Sequence, residues 1–284
     1  MQAGRPSRTA LAAAAHRAAH QVLEHGRIFA DPLALTILGD EADALVQRSQ
    51  ERPGSAGMRM FIAARTRFAE DALAAAVERG ARQLVVLGAG LDTYAYRGSA
   101  RERVHVFEVD HPATQAWKRE RLAAVGIPVP RSLTFAPVDF EREALAAGLA
   151  AAGFDPAQPA FFTWLGVVPY LTEPAVWATL GFVAGLSGGA DVVFDYADPP
   201  ATLTPEGRAA HDERARRVAA LGEAWESYFE PAALHARLGA LGLGDIEDLG
   251  LRQIAARYFP GAAARAPERG GHVVRAGTGA GGPA

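Results

Sequence analysis

The spacing of apolar residues changes near residue 80 and predicts two differently built regions. From Gln83 onward, short apolar segments typical of strands alternate with longer segments that have the period of helices. The predicted strands lie at 83–88, 104–110, 132–139, 160–167, 191–196, 244–249 and 271–275. The predicted helices lie at 112–125, 141–152, 173–186 and 231–241, the last of them capped by Glu230. This alternation indicates an α/β fold with a doubly wound, mostly parallel sheet of about seven strands.

The first eighty residues have the pattern of helices. One helix is predicted from about residue 8 to 25 and another from 60 to 79, each followed by a glycine that ends it. Between them, Asp31 followed by Pro32 predicts a short helix that ends at Gly39. We therefore expect an N-terminal helical region to pack on the α/β core.

This pattern predicts the organisation of the domain. The helical region covers 1–80, and the α/β domain covers 81–275. Residues 197–230 are an insertion after the fifth strand, charged at first and then aromatic. Because ligands bind at the carboxyl edge of such sheets, we predict that this insertion is a helical lid. Residues 276–284 are small and are predicted to form a disordered tail.

The composition excludes several kinds of site. The chain has no cysteine, which rules out disulfides and thiolate metal sites and fits a cytoplasmic location. A formal net charge of −3 and a pI near 6.3 give no electrostatic footprint for nucleic acid. No apolar segment approaches the roughly eighteen residues that a membrane span needs, and the N-terminal segment lacks a signal-peptide core. His16 and His20 lack a third ligand, so we predict no metal site.

Candidate binding residues follow the predicted strands at their carboxyl ends. Gly88-Ala89-Gly90 ends the first strand and allows the backbone to approach a ligand closely. Asp110 ends the second strand and can accept hydrogen bonds from both hydroxyls of a ribose. Asp139 could accept from an adenine amine, and Phe140 could pack on the ring. The pattern indicates a nucleotide-type cofactor, although an ordinary turn at the glycines and a helix N-cap at Asp110 are the simpler alternatives.

Two cofactor classes fit this pattern to different degrees. A dinucleotide fingerprint needs a third Gly or Ala where this chain has Thr93. It also needs a full helix at the pyrophosphate, whereas Gly98 leaves room for little more than two turns. S-adenosylmethionine carries no phosphate, so a glycine turn and a ribose-binding acid are sufficient. The residues therefore favour the methyl donor over NAD(P).

Longer motifs occur in order from about residue 8 to residue 275. They are 64–68 (Ala-Arg-Thr-Arg-Phe), 82–97, 107–112, Thr114-Gln115 with Lys118, 135–139, 164–172 and 222–225. These motifs resemble the leucine carboxyl methyltransferase-like family, and more specifically its bacterial branch of S-adenosylmethionine-dependent methyltransferases. The resemblance implies a class I methyltransferase sheet with an added helical region and a lid over the active site.

The resemblance also implies roles for individual residues. Arg65 would bind the methionine carboxylate of the cofactor, and Tyr170 would face the substrate. The remaining cofactor-binding positions would be Gly88, Ala89 and Gly90 along the ligand, Asp110 at the ribose, and Asp139 and Phe140 at the adenine.

Two departures from the family pattern concern the cofactor site. Many relatives have a glutamate near the amino group of the cofactor where this chain has Leu165. The acid that often follows the Arg-Thr-Arg segment is present here as Glu70. We therefore expect the contact at Leu165 to be missing or replaced, with weaker binding of the donor.

The predicted activity is O-methylation of a small-molecule or peptide acceptor. A carboxylate is preferred because it is ionised near pH 7 and needs no general base. A hydroxyl acceptor would need such a base. His111 is the nearest candidate, but we expect it to have a structural role at a helix start. The alternatives are an NAD(P)-dependent oxidoreductase and a cofactor-binding relative without catalysis. Nothing in the sequence predicts an oligomeric state.

Overall fold

A seven-stranded sheet forms the centre of the fold. The computed structural model describes residues 7–52, 54–97, 103–139 and 143–279. The strands are β1 Gln83–Leu87, β2 His105–Asp110, β3 Leu133–Pro137, β4 Ala160–Trp164, β5 Ala190–Ala197, β6 Asp245–Gly250 and β7 Gly271–Gly277. Their order is β3-β2-β1-β4-β5-β7-β6, with β7 antiparallel to both neighbours and the other pairs parallel. The doubly wound, mostly parallel sheet predicted from the sequence is confirmed.

Helices cover both faces of this sheet. They are α1 Arg8–Leu23, α2 Ala42–Glu51, α3 Ser55–Glu78, α4 Tyr94–Arg97, α5 Pro112–Ala124, α6 Leu145–Ala151, α7 Glu173–Ala184, α8 Pro205–Ala219, α9 Pro231–Ala240 and α10 Leu251–Tyr258. Helices α1 and α2 pack against α3, which in turn contacts β4, β5 and β7. Helix α8 lies in the predicted lid insertion.

Strand β1 contributes to an apolar core on each face of the sheet. Leu84 and Val86 pack with Leu73 of α3 on one face. Val85 and Leu87 belong to the core on the opposite face. All five residues of β1 are buried. The side-chain amide of Gln83 is satisfied by the backbone of Asp155, and the other four residues form the uninterrupted apolar run seen in the sequence.

The order of the strands fixes the position of the site. β1 pairs with β2 on one side and with β4 on the other, so the winding of the chain reverses beside β1. In open α/β sheets, a crevice for ligands forms at such a switch point, outside the carboxyl ends of the strands. The glycine turn and Asp110 both lie at this place.

The N-terminal region differs from the prediction in two respects. The short helix predicted from Pro32 to Gly39 is wrong, because turns follow Asp31 and a 3-10 helix spans Thr36–Glu41. Gly39 has a φ of 57° inside that segment, which interrupts helical geometry instead of ending a helix. Helix α2 was not predicted, and α3 begins at Ser55 instead of residue 60.

The C-terminal region also differs from the prediction. The tail predicted over 276–284 begins too early, because β7 continues to Gly277 and the hydroxyl of Thr278 accepts from the amide of Ala190. Helix α10 was not predicted. Glu230 precedes α9, but its carboxylate accepts from Arg269 and makes no capping hydrogen bond.

Within the described ranges, no helix is both long and apolar enough to cross a membrane.

Candidate functional site

The first half of the site is a glycine turn joined to a buried carboxylate. Asp110 ends β2 beside the end of β1, and its side chain accepts from the amide of Gly90 at 2.6 Å and from the amide of His111 at 2.7 Å. Asp110 is buried, and this burial raises its pKa although both amide donors oppose the rise. Each carboxylate oxygen keeps acceptor capacity beyond its one amide partner.

Asp110 does not cap the helix that follows it. The N-cap of α5 is His111, whose Nδ1 accepts from the amide of Ala113 at 3.2 Å. The structural role predicted for His111 is therefore confirmed. The alternative interpretation of Asp110 as a helix cap is therefore wrong. One oxygen of its carboxylate is instead held on the glycine turn by the amide of Gly90.

Space around the glycine turn is tight. Gly88 and Gly90 have φ values of 64° and 44°, in the region that favours glycine. A Cβ atom at Gly88 would lie 2.4 Å from Val167, and one at Gly90 would lie 2.9 Å from Ala10 of α1. The turn is therefore covered by the segment after β4 and by the first helix, while Ala89 between the glycines is buried.

Asp139 lies next to this half of the site. It follows β3, and its carboxylate is 3.9 Å from Nε2 of His111. The structure thus brings Asp139 beside the residue that follows Asp110. Phe140, the predicted partner of an adenine ring, lies outside the described residues.

The second half of the site contains a buried ion pair. Nη1 of Arg65 on α3 donates to Asp195 at the end of β5, at 2.6 Å. The other oxygen of Asp195 accepts from the amide of Gly166 at 2.5 Å. Nε of Arg65 is buried and has no hydrogen-bond partner among the described residues. The pairing of Arg65 with Asp195 was not predicted, although Asp195 stands at a strand end in the sequence.

Tyr170 lies near this ion pair and near Trp225 of the insertion 197–230. It ends a short 3-10 helix, Val168–Tyr170, after β4. Burial raises the pKa of Tyr170, although the indole N–H of Trp225 and the charge of Arg65 oppose the rise. The hydroxyl therefore stays protonated at neutral pH, so it can donate a hydrogen bond but cannot act as a base.

The segment after α8, which is part of the insertion 197–230, contacts the short 3-10 helix that contains Tyr170. The amide of Glu226 donates to Pro169 at 2.7 Å, and the hydroxyl of Ser227 donates to Val168 at 2.8 Å. The carboxylate of Glu223 accepts from the amide of Arg8 at 3.0 Å, at the start of α1. The sequence motif 222–225 indicated no role for Glu223, because the hydrogen-bond partners of its carboxylate are more than two hundred residues away in the chain.

Leu165 lies in a different environment. It lines a small cavity beneath α3 that it shares with Thr66, Glu70 and Asp92. Glu70 also pairs with Arg97, at 2.7 Å. Both departures from the family pattern thus concern one cavity.

The helix after the glycine turn is short. Helix α4 spans four residues, Tyr94–Arg97. Thr93, which occupies the third position of a dinucleotide fingerprint, is fully buried and donates to Asp31. A short helix has little dipole to offer a pyrophosphate, which supports the choice against a dinucleotide.

A buried charge cluster joins the last three strands of the sheet and was not predicted. His272 on β7 lies 3.0 Å from Asp248 through Nδ1 and 3.3 Å from Asp198 through Nε2. Asp198 also pairs with Arg269, and Asp248 also binds Tyr196 and His235. Burial lowers the pKa of His272, but the two carboxylates outweigh it and the net pKa is raised.

The raised pKa of His272 predicts a loss of stability at alkaline pH. The folded state favours the charged imidazole, so this contribution is fully present below pH about 6.5 and is lost as the pH rises through the higher folded-state pKa. We expect urea denaturation to show that the unfolding free energy declines more steeply above pH about 6.5 in the wild type than in His272→Gln. His105→Gln is the control, because burial lowers the pKa of His105. Equal slopes in the wild type and His272→Gln would contradict the assignment.

Comparisons with known proteins place the chain among methyltransferase-like sequences. The family described as leucine carboxyl methyltransferase matches residues 10–184. A Bacillus subtilis protein named "Putative S-adenosyl-L-methionine-dependent methyltransferase YktD" is 35% identical over 199 residues, which are 69% of this chain and 65% of that protein. A protein from Parafrankia with a similar name, Franean1_4929, is 37% identical over 63% of this chain and 59% of its own length. The matched region thus spans less than two thirds of these relatives.

A solved structure extends the similarity to nearly the whole chain. It is the crystal structure of a "putative methyltransferase" from Thermobifida fusca, with a TM-score of 0.56 and 17% identity over 97% of this chain and 96% of that one. At this identity the likeness concerns the fold. Together with the strand order, it confirms the predicted class I methyltransferase-type fold.

Proposed function

The chain belongs to the leucine carboxyl methyltransferase family, and on this premise we propose that it is an S-adenosylmethionine-dependent methyltransferase. The acceptor atom is an oxygen of a small molecule or peptide, and a carboxylate is the preferred group. The observation that carries this proposal is the contact between Gly90 and Asp110 at the switch point of the sheet. A cytoplasmic location, and an acceptor that is neither nucleic acid nor membrane, belong to the same proposal.

The residues present fit this cofactor. Asp110 has further acceptor capacity for a ribose diol, and the glycine turn beside it brings the backbone close to this carboxylate at positions where a side chain would not fit. The buried Nε of Arg65 has no described partner and is a donor of the kind that a carboxylate needs. Asp139 follows β3 and lies beside His111, on the side of the site to which we assign the adenine. S-adenosylmethionine supplies a methyl group that is already activated on a sulfonium.

The work of the protein is then alignment and exclusion of water. A carboxylate acceptor is ionised near pH 7, so no side chain has to remove a proton. Tyr170, which remains protonated, can donate to an acceptor oxygen and hold it in line. The segment that links the lid to Pro169 covers this region and excludes water, which strengthens these polar contacts.

Tyr170→Phe tests the substrate-side role. We expect kcat to fall roughly tenfold with the true acceptor, because the hydrogen bond removed contributes about 1–1.5 kcal/mol. Binding of the methyl donor should change little. Tyr258→Phe on α10 is the matched control and should keep full turnover. If Tyr170→Phe turns over as fast as the wild type, the role assigned to Tyr170 is wrong.

The proposed function itself is tested by titration followed by a product assay. Calorimetry with S-adenosylmethionine, and with NADH as the control, separates the two cofactor classes. Incubation with labelled methyl donor and panels of carboxylic acids, phenols and alcohols then shows which group becomes methylated. Preferred NADH binding would overturn the proposal in favour of an oxidoreductase. Donor binding without product from any panel would favour a cofactor-binding relative without catalysis.

A further inference from the structure

The loop that follows the glycine turn is held from the N-terminal region by one buried carboxylate. Asp31 is buried, with only 1% of its surface exposed. Its Oδ2 accepts from the hydroxyl of Thr93 at 2.7 Å, and its Oδ1 lies 3.2 Å from Nε of Arg97. Nε of Arg17 on α1 lies 3.5 Å from Oδ2. Asp31 thus contacts two arginines and a threonine. Two of these three residues belong to the segment 91–97, which is the turn after Gly90 together with α4 and is called the loop 91–97 below.

The arginines around Asp31 fix the two ends of the same loop. Arg17 donates through Nη2 to the carbonyl of Leu91 at 2.5 Å. Arg97 pairs with Glu70 at 2.7 Å and lies over the ring of Phe29, 4.7 Å from its centroid. The loop is therefore held at its third residue by Asp31 itself, and at its first and last residues through the arginines that Asp31 contacts.

This loop begins directly after the residue that contacts Asp110. Gly90 donates its amide to Asp110, and Leu91 is the next residue in the chain. A shift of the loop would move the glycine turn relative to the carboxylate that the proposed function assigns to the ribose. The carboxylate of Asp31 is occupied by Thr93 and the two arginines, so we expect its effect on the cofactor site to pass through the residues that it holds.

We propose that Asp31 is a positioning residue for the cofactor site, acting through Thr93, Arg97 and Arg17 on the loop 91–97. The inference rests on the proposed function for the identity of the ligand. The contacts by which Asp31 holds the loop do not depend on which ligand binds. A charged carboxylate is suited to this task because it accepts several strong, directional hydrogen bonds at once.

Asp31→Asn is the informative variant. The amide keeps the size of the side chain and one acceptor oxygen, but it removes the charge that orients the two arginines. We expect the Kd for S-adenosylmethionine, measured by calorimetry well below the unfolding temperature, to rise about tenfold. The KM for the donor should rise with it, while kcat at saturating donor should change less.

The matched control is Glu24→Gln. Glu24 also lies in the N-terminal region and also pairs with a buried arginine, Arg59, at 2.6 Å. Its side-chain hydrogen bonds go to Arg59 and His20 and not to the loop 91–97. A comparable loss of stability is therefore expected without a change in the Kd. Equal changes of the Kd in both variants, or no change in Asp31→Asn, would overturn the proposal.

Two further measurements keep the inference separate from the proposed function. If Asp31→Asn does not fold, Thr93→Val removes the loop side of the contact and should weaken donor binding about fivefold. If the wild type does not bind S-adenosylmethionine, the proposed function fails, and hydrogen exchange decides the inference. Amides of residues 91–97 should then exchange faster in Asp31→Asn than in Glu24→Gln, and equal exchange would refute the role of Asp31.

Discussion

Asp110→Ala is expected to weaken binding of S-adenosylmethionine by roughly a hundredfold or more. The variant removes an acceptor for two ribose hydroxyls, and charge-assisted hydrogen bonds contribute about 1.5–3 kcal/mol each. It also removes the partner of the Gly90 amide, so the glycine turn loses its attachment to β2. Calorimetric titration of the wild type and the variant measures the change directly.

Two variants separate the ribose contact from a general loss of structure. Asp110→Asn keeps one acceptor oxygen, so its affinity should lie between those of the wild type and Asp110→Ala. Asp155→Asn is the control, because Asp155 also accepts from a backbone amide but lies before β4, away from the carboxyl edge. Unchanged donor affinity in Asp110→Ala would contradict the cofactor site proposed here.

Lys118→Met is expected to destabilise the fold by about 3–5 kcal/mol. Nζ of Lys118 on α5 lies 2.7 Å from Oε2 of Glu108 on β2, and both side chains are only 1% exposed. Removing the cation leaves a buried carboxylate without its counter-charge, which is far more costly than losing the pair as a whole. Urea denaturation at neutral pH, compared with the wild type, gives the difference in unfolding free energy.

A double-mutant cycle shows whether the buried charge is the cause. Lys118→Met combined with Glu108→Met should be clearly more stable than Lys118→Met alone, because no unpaired charge remains in the core. Arg67→Met breaks an exposed pair with Asp71 and should cost no more than about 0.5 kcal/mol. A cost below about 1 kcal/mol for Lys118→Met, or no recovery in the double variant, would show that this pair does not carry the stability assigned to it.

Much of the sheet could be predicted because its strands are buried on both faces. A strand such as β1, which is apolar from Leu84 to Leu87, stands out in the sequence. The connection between parallel strands also has to be long enough to cross over. The same pattern located the carboxyl ends of the strands, and therefore the glycine turn and Asp110. The contact between Gly90 and Asp110 followed from pairing β1 with β2, which the sequence order already favoured.

The N-terminal region was harder to predict because polar tertiary contacts override local signals there. Asp31 before Pro32 has the pattern of a helix start, and its carboxylate does accept from the amide of Leu33. The same carboxylate also holds Thr93 and Arg97, and turns follow it instead of an α-helix. The contacts with Thr93 and Arg97 join residues more than sixty positions apart and leave no periodic trace in the sequence.

The sequence by itself determined the sheet, its mostly parallel order and the family motif at its carboxyl edge, because burial and chain connectivity constrain those features residue by residue. The tertiary structure decided which charged groups meet: Arg65 with Asp195, Glu223 with the start of α1, and Asp31 with the loop after the glycine turn. The physical reason is that hydrogen bonds and ion pairs depend on distances of about 3 Å between side chains remote in the chain. Only the packed arrangement of the helices on the sheet sets those distances.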